Sequence, residues 1–121
     1  MAALYGFAIV FRVACYFSSV KIPTLGRAFL GVGLTHGTTY LFSLCIQGNL
    51  VPSYGFHAAL QFTVFVLILL FHCGLSVIVY AKLLRTRWSQ SFTVWLLQTL
   101  ISLGLIVLFL VIFAVIQAIA N

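Results

Sequence analysis

Two long apolar runs, about Ala58–Tyr80 and Ser91–Ala118, set the framework of the chain. At 1.5 Å per residue in a helix, each run is long enough to cross roughly 30 Å of hydrocarbon. Charged residues make up 5% of the 121 residues, whereas a soluble domain carries about 25%. A chain with so little charge cannot cover its surface in water, so the sequence predicts an integral membrane protein in contact with the lipid bilayer.

Two weaker apolar runs come first in the chain. Ala2–Val20 is interrupted by Arg12, and Ala28–Gln47 contains several glycines and threonines and His36. Each run has the minimum length for a span, about 19 or 20 residues. We therefore predict an all-α fold with four transmembrane helices, as two helical hairpins in a single transmembrane domain (1–121), with spans at about 2–20, 28–47, 58–80 and 91–118. An amphipathic helix on the membrane surface is the alternative for the first run.

The positive charges predict the orientation of these spans. Five of the six Lys and Arg residues lie in two short segments, Lys21–Arg27 and Lys82–Gln90, while the segment between the halves, Gly48–Gly55, is uncharged. By the positive-inside rule, the basic loops face the cytoplasm or an organellar matrix, and the neutral loop and both termini face the opposite side. A bacterial inner membrane and an organellar inner membrane both fit. Aromatic residues near the basic loops (Tyr80, Trp88 and Trp95) are interpreted as an interfacial belt.

The two halves of the chain share a short pattern: a tyrosine ends a span, a basic loop follows, and a phenylalanine begins the next span. The matched pairs are Tyr16 with Tyr80 and Lys21 with Arg85 at an offset of 64, and Leu25 with Trp88, Ala28 with Ser91 and Phe29 with Phe92 at an offset of 63. An internal repeat would make the hairpins two copies of the same orientation, related by an axis along the membrane normal. Chance similarity over so few residues is the alternative.

The complete lack of Asp and Glu excludes several classes of function. Carboxylate acid/base pairs, Ser-His-Asp triads and oxygen-rich magnesium or calcium sites all need residues that this chain does not have. The cysteines Cys15, Cys45 and Cys73 form no CxxC motif, so no metal site is predicted. We expect no enzyme activity. We also expect no nucleic-acid binding, because the charges form no extended basic surface.

Gly33 and Gly37 form a GxxxG spacing in the second span, which also contains several threonines. Such spacing lets another helix backbone approach closely. We predict a helix-packing face here, either within this chain or with a partner. The alternative is that these glycines reflect only the high frequency of glycine in membrane helices.

One residue in each predicted span suggests a polar layer. Arg12, His36 and His72 each lie 8 residues from the basic-loop end of their span, and Gln98 lies 8 residues after Gln90, which places all four about 12 Å deep. Three hypotheses account for such a layer. The first is interhelical hydrogen bonding, with Arg12 extended towards the basic side. The second is a b-type haem held by His36 and His72, with Arg12 near a propionate. The third is an anion or quinone site with Arg12 as its charged group.

Size, composition and the long apolar helices lead to one expectation of function. The chain is expected to be a non-catalytic accessory subunit that packs against other subunits of a larger membrane protein complex, with no cofactor of its own. A small oligomeric transporter or channel is the first alternative. A redox subunit that binds haem b or quinone is the second.

Overall fold

The computed structural model describes residues 1–54 and 57–121, with side chains described for 1–49 and 57–121. Over these residues the chain is all-helical, which confirms the all-α part of the predicted fold. The four helices are α1 (Ala2–Phe17), α2 (Leu25–Tyr54), α3 (Ala58–Leu84) and α4 (Trp88–Ala120).

Three of the helices are long and apolar enough to span a membrane. The most apolar segments of α2, α3 and α4 have mean hydropathies of 1.3, 2.6 and 3.1. α1 is equally apolar in character but has only 16 residues, which gives it a length of about 24 Å. The structure thus supports a membrane location through α2, α3 and α4, while the first predicted span is a shorter apolar helix.

The helices form a ring in which each one packs against two neighbours. Over the described residues, α1 packs on α2, α2 on α3, α3 on α4 and α4 on α1, and the two diagonal pairs have no backbone approach. Short connections join α1 to α2 and α3 to α4 at the same end of the ring. This end, which carries the charged loops, is called the basic end.

The core lies near the basic end, within the length of α1. The buried apolar residues that pack together there are Ala8, Phe11, Ala14, Cys15, Val20, Ala28, Val32, Tyr80, Val94 and Trp95. Beyond this level α4 has no contact with α1, because α1 has only 16 residues. Residues 103–120 of α4 are consequently exposed on every side.

Two helices end in a left-handed residue that is not glycine. Ser19 (φ 56°) follows α1, and the Val20 amide donates to the Cys15 carbonyl at 3.1 Å. Arg85 (φ 52°) follows α3, and the Thr86 amide donates to the Ala81 carbonyl at 3.1 Å. This six-to-one bond is typical of a Schellman motif, which satisfies carbonyls that the helix end leaves free. It ends α1 at Phe17, three residues before the predicted boundary.

The predicted neutral loop Gly48–Gly55 is wrong over most of its length. α2 continues through Tyr54, so Gly48–Tyr54 is helical, and Gly55 lies outside the described residues. The turn-forming Asn49 lies inside α2, where its side-chain amide donates to the Cys45 carbonyl at 2.8 Å. The second basic segment is also shorter than predicted: α3 includes Lys82, and α4 begins at Trp88.

The helix boundaries match the proposed repeat only in part. Leu25 and Trp88 each begin a helix, as an offset of 63 requires. The left-handed residues Ser19 and Arg85, however, are 66 positions apart, so Arg85 corresponds in structure to Ser19 and not to Lys21. The internal repeat stays a prediction.

Candidate functional site

His36 of α2 and His72 of α3 lie side by side. Their ring centroids are 4.9 Å apart, and the ring planes meet at 74°. His36 lies 11 residues after the start of α2, and His72 lies 12 residues before the end of α3. Both are therefore about 17 Å from the basic end, so the predicted match in their depth holds in the structure.

Thr39 links the two helices at this level. Its hydroxyl donates to the Thr35 carbonyl at 2.6 Å and lies 2.9 Å from Nδ1 of His72. Because the hydroxyl donates its only proton to the Thr35 carbonyl, it can only accept from His72, so Nδ1–H of His72 donates to Thr39. Nδ1 of His36 lies 3.0 Å from the Val32 carbonyl, which can only accept. In the neutral form, both rings thus present Nε2 as an acceptor.

The histidine pair does not fit axial ligation of a haem iron. Two imidazoles on opposite sides of one metal, each bonded at about 2 Å, have facing nitrogens about 4 Å apart and ring centres about 6 Å apart. The observed ring centres are 4.9 Å apart in a direct edge-to-face contact. That contact leaves no space for a porphyrin plane between the rings of His36 and His72.

Tyr80 joins this layer to the core of the bundle. Its hydroxyl donates to Oε1 of Gln98 at 2.7 Å, and both side chains are buried. The ring of Tyr80 lies 4.4 Å from the ring of Phe11, centroid to centroid, across the diagonal between α1 and α3. Tyr80 and Trp95 are therefore core residues, and their predicted place in an interfacial belt is wrong. Trp88, by contrast, is exposed.

Two cavities meet at the histidine pair. A groove of about 340 Å³ runs between α2 and α3 and is lined by both histidines, Thr39 and Leu69. A smaller cavity of about 160 Å³ lies on the α4 side and is lined by both histidines, Trp95 and Gln98. The indole N–H of Trp95 is buried and has no acceptor among the described residues. His36 and His72 thus line both the groove between α2 and α3 and the smaller cavity on the α4 side.

Arg12 does not join this layer. It lies 5 residues before the end of α1, about 8 Å deep, and lines a different groove with Ile9, Val13 and Tyr16. Its Nε atom is buried without a partner among the described residues. The predicted layer therefore contains His36, His72 and Gln98, while Arg12 belongs to the outer surface near the basic end.

The close helix contact of α2 falls on a glycine that the GxxxG spacing does not include. A Cβ built on Gly31 would lie 2.7 Å from Cδ2 of Leu83 on α3. A Cβ on Gly33 or Gly37 would meet no described atom within 4 Å. Over the described residues, Gly33 and Gly37 thus pack against no other helix of this chain, and contact with a partner stays a prediction.

Comparison with known proteins adds no relative, since the chain matches no family model, no curated protein and no solved structure. The inference of function must therefore come from the geometry of the histidine pair, the cavities and the outward glycines. Of these, the outward glycines give the strongest indication of a role.

The bridge through Thr39 gives a testable prediction. Thr39→Val keeps the shape of the side chain but removes the hydroxyl between Thr35 and His72, so we expect a loss of about 0.6–1.7 kcal/mol in unfolding free energy. Reversible unfolding in mixed micelles would measure it. Thr38→Val is the matched control, because the neighbouring Thr38 is exposed. Equal losses for the two variants would show that the bridge contributes nothing.

Proposed function

We propose that this protein is a non-catalytic accessory subunit of a membrane protein complex, and that a transmembrane helix of a partner packs on the outer face of α2. We further propose that α1 crosses the membrane beside the other helices, giving four spans. The basic end then faces the cytoplasm or matrix by the positive-inside rule. The neutral end and both termini face the opposite side.

The observation that carries this proposal is the outward position of Gly33 and Gly37. Gly37 is exposed, and neither glycine has a described atom within 4 Å of a built Cβ. Leu30, Leu41 and Leu44 lie on the same helical face and are about half exposed or more. Two glycines one turn apart between leucines form a shallow groove, in which a partner helix gains the close backbone contact that lipid chains do not provide.

The outer part of α4 fits the same role. Its residues 103–120 are exposed leucines, isoleucines, valines and phenylalanines almost throughout. Lipid and a partner helix both suit such a surface, whereas an aqueous pathway for a transported solute does not. The favoured role is therefore attachment within the bilayer.

Gly37→Leu tests the proposal. A leucine in the groove holds the two backbones apart, and overpacking of this kind costs about 1–3 kcal/mol, which corresponds to a loss of about five-fold to about 150-fold in association. Co-purification from native membranes in mild detergent measures partner recovery. We expect Gly37→Leu to lower partner recovery while the melting temperature of the isolated chain is unchanged.

Gly74→Leu is the control, because Gly74 on α3 is equally open over the described residues. It should retain the partner. If Gly37→Leu left partner recovery unchanged, the outer face of α2 would not be part of the interface. If the chain co-purified only with other copies of itself, the partner on this face would be a second copy of the chain.

A further inference from the structure

Three cations line one cavity at the basic end. The cavity has a volume of about 510 Å³ and lies between the α1–α2 connection, the start of α2 and the end of α3. Lys21, Arg27 and Arg85 supply its charge, and Leu83 and Leu84 form its apolar wall. Because the chain has no Asp or Glu side chain, no carboxylate side chain of this chain can neutralise the three charges.

The backbone adds to the positive potential at this cavity. Thr24 caps α2, accepting a hydrogen bond from the amide of Arg27 at 3.4 Å. The first turn of α2 contains no acidic residue. The other free amides of that turn and the positive end of the helix dipole therefore lie on the same side as Lys21 and Arg27.

Arg85 contributes its charge from a backbone position that favours glycine. Its φ of 52° is in the left-handed region, which is disfavoured for a residue with a Cβ. A glycine here would relieve the backbone but remove the cation from the cavity. Arg85→Gly therefore separates the effect of the charge from the effect on folding.

An apolar groove continues from the cavity along α1. Ile22 lines both spaces. From Ile22 the groove extends past Tyr16 and Val13 to Ile9, over about 260 Å³, with Arg12 at its side. The cavity is cationic and lies beyond the end of α1, and the groove is apolar and runs towards the middle of α1. A phospholipid has the same division into a charged head and an acyl chain.

We propose that this cavity binds the phosphate group of an anionic phospholipid, with an acyl chain lying in the groove along α1. Lys21, Arg27 and Arg85 surround the phosphate as donors, and basic pockets between membrane helices hold anionic head groups in this way. Free phosphate shares the head-group chemistry but not the chain. The site is separate from the outer face of α2 and does not depend on a partner protein.

The test is a thermal-shift titration of the purified full chain in neutral detergent. Phosphatidylglycerol, phosphatidylcholine and inorganic phosphate are added separately, and each variant is compared with its own lipid-free melting temperature. We expect phosphatidylglycerol to raise the melting temperature more than the other two. Arg85→Gly should weaken its apparent affinity by about five-fold, and Lys21→Gln by a similar factor.

Arg87→Gly is the matched control, since Arg87 is exposed in the same loop and does not line the cavity. Its affinity for phosphatidylglycerol should stay close to that of the unaltered chain. Equal weakening by Arg85→Gly and Arg87→Gly would overturn the site in favour of diffuse surface charge. Equal stabilisation by phosphatidylcholine, or by inorganic phosphate alone, would overturn the assignment to an anionic lipid.

Discussion

Tyr80→Ala is expected to lower the free energy of unfolding by about 3–5 kcal/mol, the range for truncating a large buried aromatic side chain. Tyr80 is fully buried, and its ring contacts Phe11 across the bundle at a centroid distance of 4.4 Å. Truncation leaves a cavity at the level where all four helices meet. It also leaves Oε1 of Gln98 without its donor at 2.7 Å. Reversible unfolding in mixed micelles of increasing denaturing detergent gives the value.

Two variants separate the contributions of Tyr80. Tyr80→Phe keeps the ring and removes only the hydrogen bond to Gln98, so its expected cost is about 0.6–1.7 kcal/mol. Tyr16→Ala truncates a tyrosine that is 67% exposed and should cost far less than Tyr80→Ala. Similar losses for Tyr16→Ala and Tyr80→Ala would mean that the helices do not pack around Tyr80.

Gly31→Leu is expected to destabilise the isolated chain by about 1–3 kcal/mol through overpacking. The first added carbon would already lie 2.7 Å from Cδ2 of Leu83 and 3.7 Å from the ring of Tyr80. Leu83 can rotate away from a single carbon, but the three further carbons of a leucine force α2 and α3 apart. The melting temperature of the purified chain in detergent measures the effect.

Gly33→Leu, two residues along the same helix, is the control for Gly31→Leu. The space around Gly33 is open over the described residues, so the isolated chain should tolerate the change. If Gly33→Leu destabilised the chain as much as Gly31→Leu, α2 would present a different face to α3, and the surface assigned to a partner would be part of the core.

The existence of four helices could be predicted from the sequence, because uninterrupted apolar runs in lipid have few alternatives to helix. The sequence does not, however, predict which face of each helix is buried. α3 and α4 are apolar on nearly all sides, so no periodic pattern marks a buried stripe. In the second span, the GxxxG spacing pointed to Gly33 and Gly37, whereas the close contact with α3 is at Gly31.

Helix ends were the second source of error. Pro52 and its neighbouring turn-forming residues predicted a loop, but α2 continues through Tyr54. At the basic end, Ser19 and Arg85 end their helices in a conformation that usually requires glycine. Neither residue type signals such an ending in the sequence.

The sequence predicts a polar layer of four residues, and the structure places three of them at a similar depth but not Arg12. His36, His72 and Gln98 lie within about one helical turn of one another in depth, while Arg12 lies nearer the basic end. The predicted depths are equal because they are counted from the predicted span ends. In the structure, α1 ends 3 residues earlier than predicted, whereas α2, α3 and α4 extend 3 to 4 residues further towards the basic end. Arg12 therefore becomes shallower, and the other three residues become deeper. Tyr80 and Trp95 were missed because an aromatic residue near a span end also fits an interfacial position.

Cysteine labelling in sealed membrane vesicles tests the four-span arrangement most directly, and the proposed lipid groove along α1 rests on that arrangement. The three native cysteines are replaced, and one new cysteine is placed at Ala2, Thr24, His57 or Ser89, all of which are exposed. We predict that a membrane-impermeant maleimide labels Thr24→Cys and Ser89→Cys from one side, and Ala2→Cys and His57→Cys from the other. Labelling of Ala2→Cys and Thr24→Cys from the same side would contradict a spanning α1.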